Sequence, residues 1–290
     1  MEVLETAQSK IVSKRNERTD KERENNMIYI TGDTHADFYR IRKFCERMNT
    51  TKEDIMIILG DAGLNFWLNK SDYKKKKEVM QIPITLFMIH GNHEERPFNV
   101  KGYEEKEWHG GTVYIQDEFP RLIFAKDGEI YDLNGKKTIA IGGAYSIDKA
   151  YRLARNIPWF ESEQPSDEIK AYVEEQLTKA DWKVDVVLSH TAPVNYEPRH
   201  LFMKGINQNL VDKTTEKWLQ TIEDKLDYKK WYFGHYHGEW EKGRMQMLYE
   251  DIAEFCGNIP YVPISGSQEL EDLLMQYMKE ESKTDDKGGE

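Results

Sequence analysis

The sequence predicts an α/β fold in which two β-sheets pack together and helices flank them. Short apolar runs alternate with segments of helical period in the outer parts of the chain, which is the pattern of strand–helix units. In the middle, shorter apolar runs are separated by Asp-Gly and Asn-Gly, which are typical of hairpins and favour a second sheet. The chain of 290 residues, 39% of them apolar, is long enough to bury a substantial core.

We expect one domain over residues 27–278, because no internal repeat and no Pro- or Ser-rich linker interrupts the pattern. Residues 1–26 end in SKRNERTDKERENN, which is dense in charge and has little to bury, so they are predicted to form a disordered lead-in. Residues 279–290 are predicted to be a disordered tail for the same reason. Apolar side chains at helical spacing within residues 270–278 predict a short helix that docks on the body.

The elements follow in order along the chain. The runs MIYIT, DIMIIL and ITLFMI predict three strands, and helical patterns follow the first, as far as Met48, and the second, through KKKKEVM. We expect Lys74–Lys77 to form a solvated helix face. Hairpins are predicted at TVYIQ, RLIFAK and EIYDLNGKKTIAIGG, and Ser166 is placed to cap a helix over SDEIKAYVEEQLTKA. The remaining pattern predicts a strand at VDVVLSH, a helix near EKWLQTIEDKL, a strand at KKWYFGHYH and one closing strand at MQMLYEDI.

Composition excludes several classes of protein. The net charge of −11 argues against a general binder of long nucleic acid, because phosphate backbones recruit clustered Lys and Arg. Two cysteines, Cys45 and Cys256, show no CxxC spacing and fit a reducing compartment. The apolar runs are too short to span a bilayer, and the N-terminus lacks the apolar segment of a signal peptide. We therefore expect a cytoplasmic protein that does not bind membranes.

Polar residues with metal-binding groups follow five of the predicted strands. The five runs end in GDTH, GDAG, GNHE, SHTAP and GHYH. In open α/β sheets, ligands bind beyond the carboxyl ends of the strands, so these tips are expected to converge. The candidates are Asp33, His35, Asp61, Asn92, His93, Glu94, His190, His235 and His237.

The types of these side chains indicate a pair of divalent metal ions. Carboxylate oxygen, imidazole nitrogen and amide oxygen suit ions of the Mn, Fe, Co or Zn type. Seven ligands, which are the candidates other than His93 and Glu94, are too many for one open catalytic ion and suit two ions that share a carboxylate. In extended chain, residues i and i+2 face the same way, which predicts that Asp33 with His35, and His235 with His237, serve neighbouring ions. Two divalent ions bring four positive charges and the two aspartates only two negative ones. The site therefore keeps a positive surplus, which favours binding of an anionic phosphate ester.

The five motifs, in this order, resemble those of the calcineurin-like metallophosphoesterase superfamily. The resemblance extends from Met27 to about Glu254. It implies a four-layer sandwich in which two mixed β-sheets pack together and are flanked by helices. It also implies a first metal on Asp33, His35, Asp61 and His237, and a second on the bridging Asp61 with Asn92, His190 and His235. His93 matches the residue that assists phosphate binding and protonates the leaving oxygen.

The chain departs from the phosphoprotein phosphatases of this superfamily. Those enzymes continue the second motif as GDxxDRG, whereas this chain has GDAGLNFW and lacks that Asp and the phosphate-gripping Arg. It also has GDTHA where many members have GDxHG. Substrate contacts are instead predicted from a segment after the hairpins, GGAYSIDKAYRLARN, and from one arginine after GNHEE. These candidates are Arg96, Tyr145, Arg152 and Arg155.

The predicted function is hydrolysis of a phosphate ester by a hydroxide that bridges two metals, with His93 as general acid. We expect Asn92 to help stabilise the phosphoryl oxygens and a neighbour such as Asp61 or Glu94 to hold His93. Mn²⁺ is the favoured metal, with Fe, Zn, Co or Ni as alternatives, and the substrate is a small phosphate ester or nucleotide. The alternatives are a nuclease similar to the lariat-debranching branch, a cyclic-nucleotide phosphodiesterase, and a non-catalytic scaffold that retains its metals.

Overall fold

Two mixed β-sheets form the centre of the molecule in the computed structural model, which describes residues 26–257. The predicted C-terminal helix, the tail and almost all of the lead-in lie outside these residues. The strands are β1 Ile28–Thr31, β2 Ile55–Ile58, β3 Thr85–Met88, β4 Tyr103–Trp108, β5 Gly111–Gln116, β6 Leu122–Ala125, β7 Ile130–Leu133, β8 Lys136–Ile141, β9 Val186–Ser189, β10 Lys230–Phe233, β11 Trp240–Lys242, β12 Met245–Met247 and β13 Ile252–Glu254.

Each sheet has a parallel centre and antiparallel edges. The seven-stranded sheet has the order β13-β1-β2-β3-β6-β5-β4, in which β1, β2, β3 and β6 run parallel. The six-stranded sheet has the order β11-β12-β10-β9-β8-β7, with β12, β10, β9 and β8 parallel. Strands β1, β2, β3, β6 and β9 are buried along their whole length, which explains their unbroken apolar sequences.

Four helices cover the outer faces of the sheets: α1 Tyr39–Met48 and α2 Lys70–Val79 pack on the first sheet, and α4 Asp167–Lys179 and α5 Thr214–Glu223 on the second. The short helix α3 Lys149–Ala154 follows β8. Ser166 caps α4 as predicted, because its side chain accepts a hydrogen bond from the backbone of Ile169 at 3.3 Å. Among the described residues, no helix is long and apolar enough to cross a membrane.

Three apolar clusters confirm the predicted four layers. Ile57 of β2 and Leu188 of β9 belong to the cluster between the sheets. Ile58, the next residue of β2, faces the other way and packs with Ile41 of α1, while Val187 of β9 packs with Leu219 of α5. Alternate residues of one strand thus enter different layers, as the two-residue period of a strand requires.

Two local predictions were wrong, and one strand was not predicted. MQMLYEDI does not form one closing strand, because β12 pairs in the second sheet and β13 pairs with β1 in the first. The charged sequence YEEKEW forms edge strand β4, which hydrophobic patterning missed because an edge strand need not be buried. Lys76 is not part of a solvated helix face, since it is 4% exposed and donates to Asn65 Oδ1 at 2.7 Å and Gln116 Oε1 at 2.9 Å.

Candidate metal centre

The candidate site lies at the carboxyl ends of parallel strands from both sheets. Strands β1, β2 and β3 are neighbours in the first sheet, and β9 and β10 are neighbours in the second. Two hydrogen bonds join these groups across the sheets: the backbone N–H of His235 donates to Asp33 Oδ1 at 3.0 Å, and His190 Nδ1 lies 2.7 Å from the carbonyl oxygen of Leu59. The five sequence motifs therefore meet at one place, as the strand-end rule predicts.

One half of the site is open to solvent. His35 and His237 retain 33% and 48% of their side-chain exposure, and their Nε2 atoms lie 2.9 Å apart. Asp33 Oδ2 lies 3.3 Å from His237 Nε2 and 3.7 Å from His35 Nε2. This buried oxygen has no well-aligned hydrogen-bond partner among the residues that the structure describes. The three side chains form a group in which one potential ligand atom of each lies within 4.8 Å of the others.

The other half is buried. Asn92 Oδ1 lies 2.8 Å from His190 Nε2 and 3.0 Å from His235 Nδ1. The amide nitrogen of Asn92 donates to Ser146 Oγ at 2.9 Å, which turns the oxygen toward the two histidines. The side chain of His190 is fully buried.

Asp61 lies between the two halves. Its Oδ1 is 3.6 Å from His190 Nε2, and its Oδ2 is 3.9 Å from His35 Nδ1. The same residue belongs to two groups of potential ligands, one with His35 and His93 and one with Asp33 and His190. This position is the one that a carboxylate shared by two ions requires.

The atoms that face one another in the buried half are suited to a cation. The carbonyl oxygen of Leu59 accepts the proton of His190 Nδ1, so Nε2 of a neutral ring carries a lone pair. That lone pair and the oxygen of Asn92 are both electron donors at a separation of 2.8 Å. Together with Asp33 Oδ2, which faces His35 and His237, this arrangement fits divalent ions held by nitrogen and oxygen ligands.

Four of the candidate ligands have left-handed backbone conformations. The φ angles are 45° at His35, 49° at Asp61, 71° at His235 and 50° at His237. Such conformations are uncommon outside glycine and cluster at functional sites. The prediction that residues i and i+2 face the same way in an extended chain was therefore wrong here. Turns, and not the two-residue period of a strand, set the directions of His35 and His237.

The protonation of these groups suits metal binding. Burial lowers the pKa of His235 to about 3, which keeps this imidazole neutral at ordinary pH. Burial would raise the pKa of Asp33, but the 3.3 Å contact with His237 and the neighbouring histidines outweigh it and lower that pKa. The same contact raises the pKa of His237. His235 therefore stays neutral, and able to bind a cation, at a lower pH than His237.

His93 borders the site beside Asp61 and the open half. Its backbone N–H donates to Asp61 Oδ1 at 2.8 Å, and its ring stacks over Phe66 with centroids 6.4 Å apart. Burial lowers its pKa. Glu94 was one of two residues expected to hold His93, but its carboxylate does not do so. It accepts hydrogen bonds from the backbone N–H groups of Gly91 and Gly63, each at 3.1 Å.

Two polar residues of this region were not among the predicted site residues. Ser146 is fully buried and links Asn92 to Arg152, whose Nη1 lies 3.2 Å from Ser146 Oγ. Asp148 Oδ1 lies 3.9 Å from His93 Nε2. The available signal was their place after β8, which is parallel to β9 and ends on the same side as the other tips.

The predicted substrate-binding residues have different environments. Arg96 is buried, forms an ion pair with Asp127 and donates from Nε to Ser162, which is a structural role and not the predicted substrate contact. Arg152 is 1% exposed, which also argues against a contact with substrate. Arg155 is exposed at the end of α3, and Tyr145 is partly buried.

A family model for calcineurin-like phosphoesterases matches residues 27–239, which include all five motifs. The chain belongs to the calcineurin-like phosphoesterase family. Members of this family hydrolyse phosphate esters with divalent metals, and the groups of ligands described above are those that such ions need. No curated protein matches this chain.

Solved structures show more distant similarity. The crystal structure of TT1561 of Thermus thermophilus aligns with a TM-score of 0.44 and 13% identity over 78% of this chain and 88% of that one. Phosphopantetheinyl hydrolase from Mycobacterium tuberculosis aligns with a TM-score of 0.39 and 11% identity over the same two shares.

Proposed function

We propose that this calcineurin-like phosphoesterase is an enzyme that hydrolyses a small phosphate ester or nucleotide with two divalent ions. The observation that carries the proposal is the convergence of Asp33, Asp61 and Asn92 with four histidines at the strand tips. Asp33, His35, Asp61 and His237 would hold one ion, and Asp61, Asn92, His190 and His235 the other. Mn²⁺ is the ion we expect, and the acidic net charge of −11 favours a small substrate in the cytoplasm.

When bound, the ions would supply an activated water and neutralise charge on the phosphoryl oxygens. The chain itself fixes the ligands before any substrate arrives. Leu59 holds the ring of His190 through Nδ1, and Ser146 holds the amide of Asn92. Such groups lose little freedom when the reaction begins, which lowers the cost of reorganisation.

His93 would protonate the leaving oxygen. Its backbone is fixed by Asp61, while 28% of its side chain remains exposed beside the open half of the site. A positioned acid of this kind accelerates reactions by roughly 10²–10⁴-fold. We therefore expect His93→Ala to lose that factor in kcat while metal content stays near that of the wild type.

A phosphate-ester panel on Mn²⁺-loaded protein tests the proposed function. The panel compares phosphomonoesters with phosphodiesters, and small nucleotides with phosphopeptides. Turnover of at least one class by the wild type, together with its loss in Asp61→Asn, is the expected result. A folded, metal-loaded wild type that turns over none of them would favour the non-catalytic scaffold and contradict the proposal.

A further inference from the structure

The carboxylate of Asp148 lies between two basic side chains. Its Oδ1 is 3.9 Å from His93 Nε2 and 3.9 Å from Arg152 Nη1. This oxygen is buried and has no well-aligned hydrogen-bond partner in the described part of the chain, although 39% of the side chain as a whole is exposed. Asp148 therefore holds a desolvated acceptor close to the ring of His93.

The position of Asp148 in its helix does not explain this arrangement. It is the residue before the first turn of α3, where an aspartate commonly accepts from the backbone of that turn. Here the side chain makes no such capping hydrogen bond. The carboxylate points instead toward the loop that carries His93.

No other carboxylate in residues 26–257 forms an ion pair with the side chain of His93. Asp61 accepts from its backbone, and Glu94 is bound to two glycine N–H groups. Leu64 stands where the GDxxDRG motif has its aspartate, so the second strand tip supplies no acid at that position. The carboxylate of Asp61 also lies within 4.8 Å of a ring nitrogen of His93, but it is shared with His35 and His190, whereas Asp148 at 3.9 Å faces His93 and Arg152.

We propose that Asp148 is the positioning residue of the proposed general acid: it accepts the Nε2–H of His93 and fixes the ring for proton transfer from its other nitrogen. Hydrogen bonds of this kind are often long before substrate binds and tighten in the complex, which fits a separation of 3.9 Å. Arg152 orients the carboxylate, since its guanidinium lies 3.9 Å from Asp148 Oδ1 and is anchored by Ser146 and by the carbonyl of Pro158. The inference rests on the proposed function.

The step that this contact supports is cleavage of the phosphorus–oxygen bond to the leaving group. In the acid form of His93 both ring nitrogens carry a proton: the departing oxygen takes the electron pair of that bond and the Nδ1 proton, the Nε2–H stays with Asp148, and solvent water later returns a proton to Nδ1. An alkyl leaving group needs this proton, because an alkoxide is strongly basic. A 4-nitrophenyl leaving group departs as a stable anion and needs it far less.

The test compares Asp148→Ala, Asp148→Asn and the wild type on two substrates with the same phosphoryl group, one alkyl ester and one 4-nitrophenyl ester. We expect Asp148→Ala to lose roughly 10²-fold in kcat on the alkyl ester and less than about threefold on the other. Asp148→Asn keeps an acceptor and should lie between. Asp167→Ala, at a fully exposed carboxylate of α4, is the matched control and should leave both rates unchanged.

A second readout requires no turnover. In the metal-free protein, the nitrogen spectrum of His93 should show the proton on Nε2 in the wild type and a mixture of tautomers in Asp148→Ala. Equal losses on both esters, or an unchanged tautomer in a folded variant with normal metal content, would overturn the role of Asp148. If the wild type hydrolyses no ester, the proposed function is overturned. The nitrogen spectrum then still tests whether Asp148 accepts a hydrogen bond from His93.

Discussion

The two halves of the metal centre differ in how the protein supports them. In the open half, His35 and His237 are 33% and 48% exposed, and Asp33 keeps a buried oxygen without a well-aligned hydrogen-bond partner within residues 26–257. In the buried half, His190 is fully covered and is fixed by the carbonyl of Leu59. The buried half is preorganised by contacts that contain no metal, whereas the open half depends more on the ion itself. We therefore expect the two ions to differ in affinity and in their tolerance of acid.

The largest expected effect is at Gly60, which supports the buried half. An added Cβ would lie 2.1 Å from His190 Nδ1, and the φ of +97° is strained for any side chain. Gly60→Ala should lower the free energy of unfolding by about 2–4 kcal/mol more than Gly205→Ala, because Gly205 has a similar φ of +91° and open space around it. Denaturant unfolding of both variants measures the difference. Equal losses would mean that the close contact with His190 is not important.

Next in size is the effect of removing one ligand from each half. His237→Ala should reduce metal content from two ions to about one and leave the melting temperature of the metal-free protein nearly unchanged, since this side chain is exposed. His190→Ala removes a buried ring with two polar contacts and should lower both metal content and stability, the latter by about 2–4 kcal/mol. Elemental analysis and thermal unfolding of the two proteins provide the test. Similar losses of stability in His237→Ala and His190→Ala would contradict the claim that the protein supports the two halves differently.

Acid should release the ion of the open half first. The close contact with Asp33 raises the pKa of His237, so this ring gains a proton at a higher pH than an ordinary histidine, and protons compete with metal there first. Burial lowers the pKa of His235 to about 3, so this ring stays neutral to a much lower pH. Metal content measured after dialysis at successive pH values should fall in two steps. In His237→Ala only the lower step should remain, and a single step in the wild type would contradict the prediction.

The smallest predicted effect is at Arg155, which follows α3, the helix that begins after Asp148 beside His93. Arg155 is exposed and lies over Tyr151, which leaves its charge available to an arriving anion. Arg155→Ala should raise KM by about fivefold and leave kcat unchanged, because an exposed charge contributes about 1 kcal/mol to binding. Lys179→Ala, which removes an exposed charge at the end of α4, is a suitable control. A change in kcat, or no change in KM, would place substrate entry elsewhere.

The strand tips were predictable because chemistry and topology agree there. Each buried run ends in a glycine or serine and then a ligand type, and parallel strands bring such ends together. The sequence could not give the directions of the side chains, because His35 and His237 depend on left-handed turns that no two-residue pattern reveals. Ser146 and Asp148 were missed because neither belongs to the five strand-tip motifs from which the ligands were predicted.

The burial of charged side chains also could not be predicted from the sequence. Arg96 and Lys76 belong to segments that look solvated in the sequence, yet both are buried and paired in the structure. Their partners, Asp127 and Asn65, lie 31 and 11 residues away in the chain. Such pairs depend on tertiary contacts and cannot be found from local composition.

The two-ion site is tested most directly by titration of chelator-treated protein with Mn²⁺, in which hydrolysis of the best ester of the panel and bound metal are followed together. We expect no activity before metal is added, little with the first equivalent in the buried half, and full activity at two equivalents. Full activity in the metal-stripped protein, or full activity at one equivalent, would contradict the two-ion site.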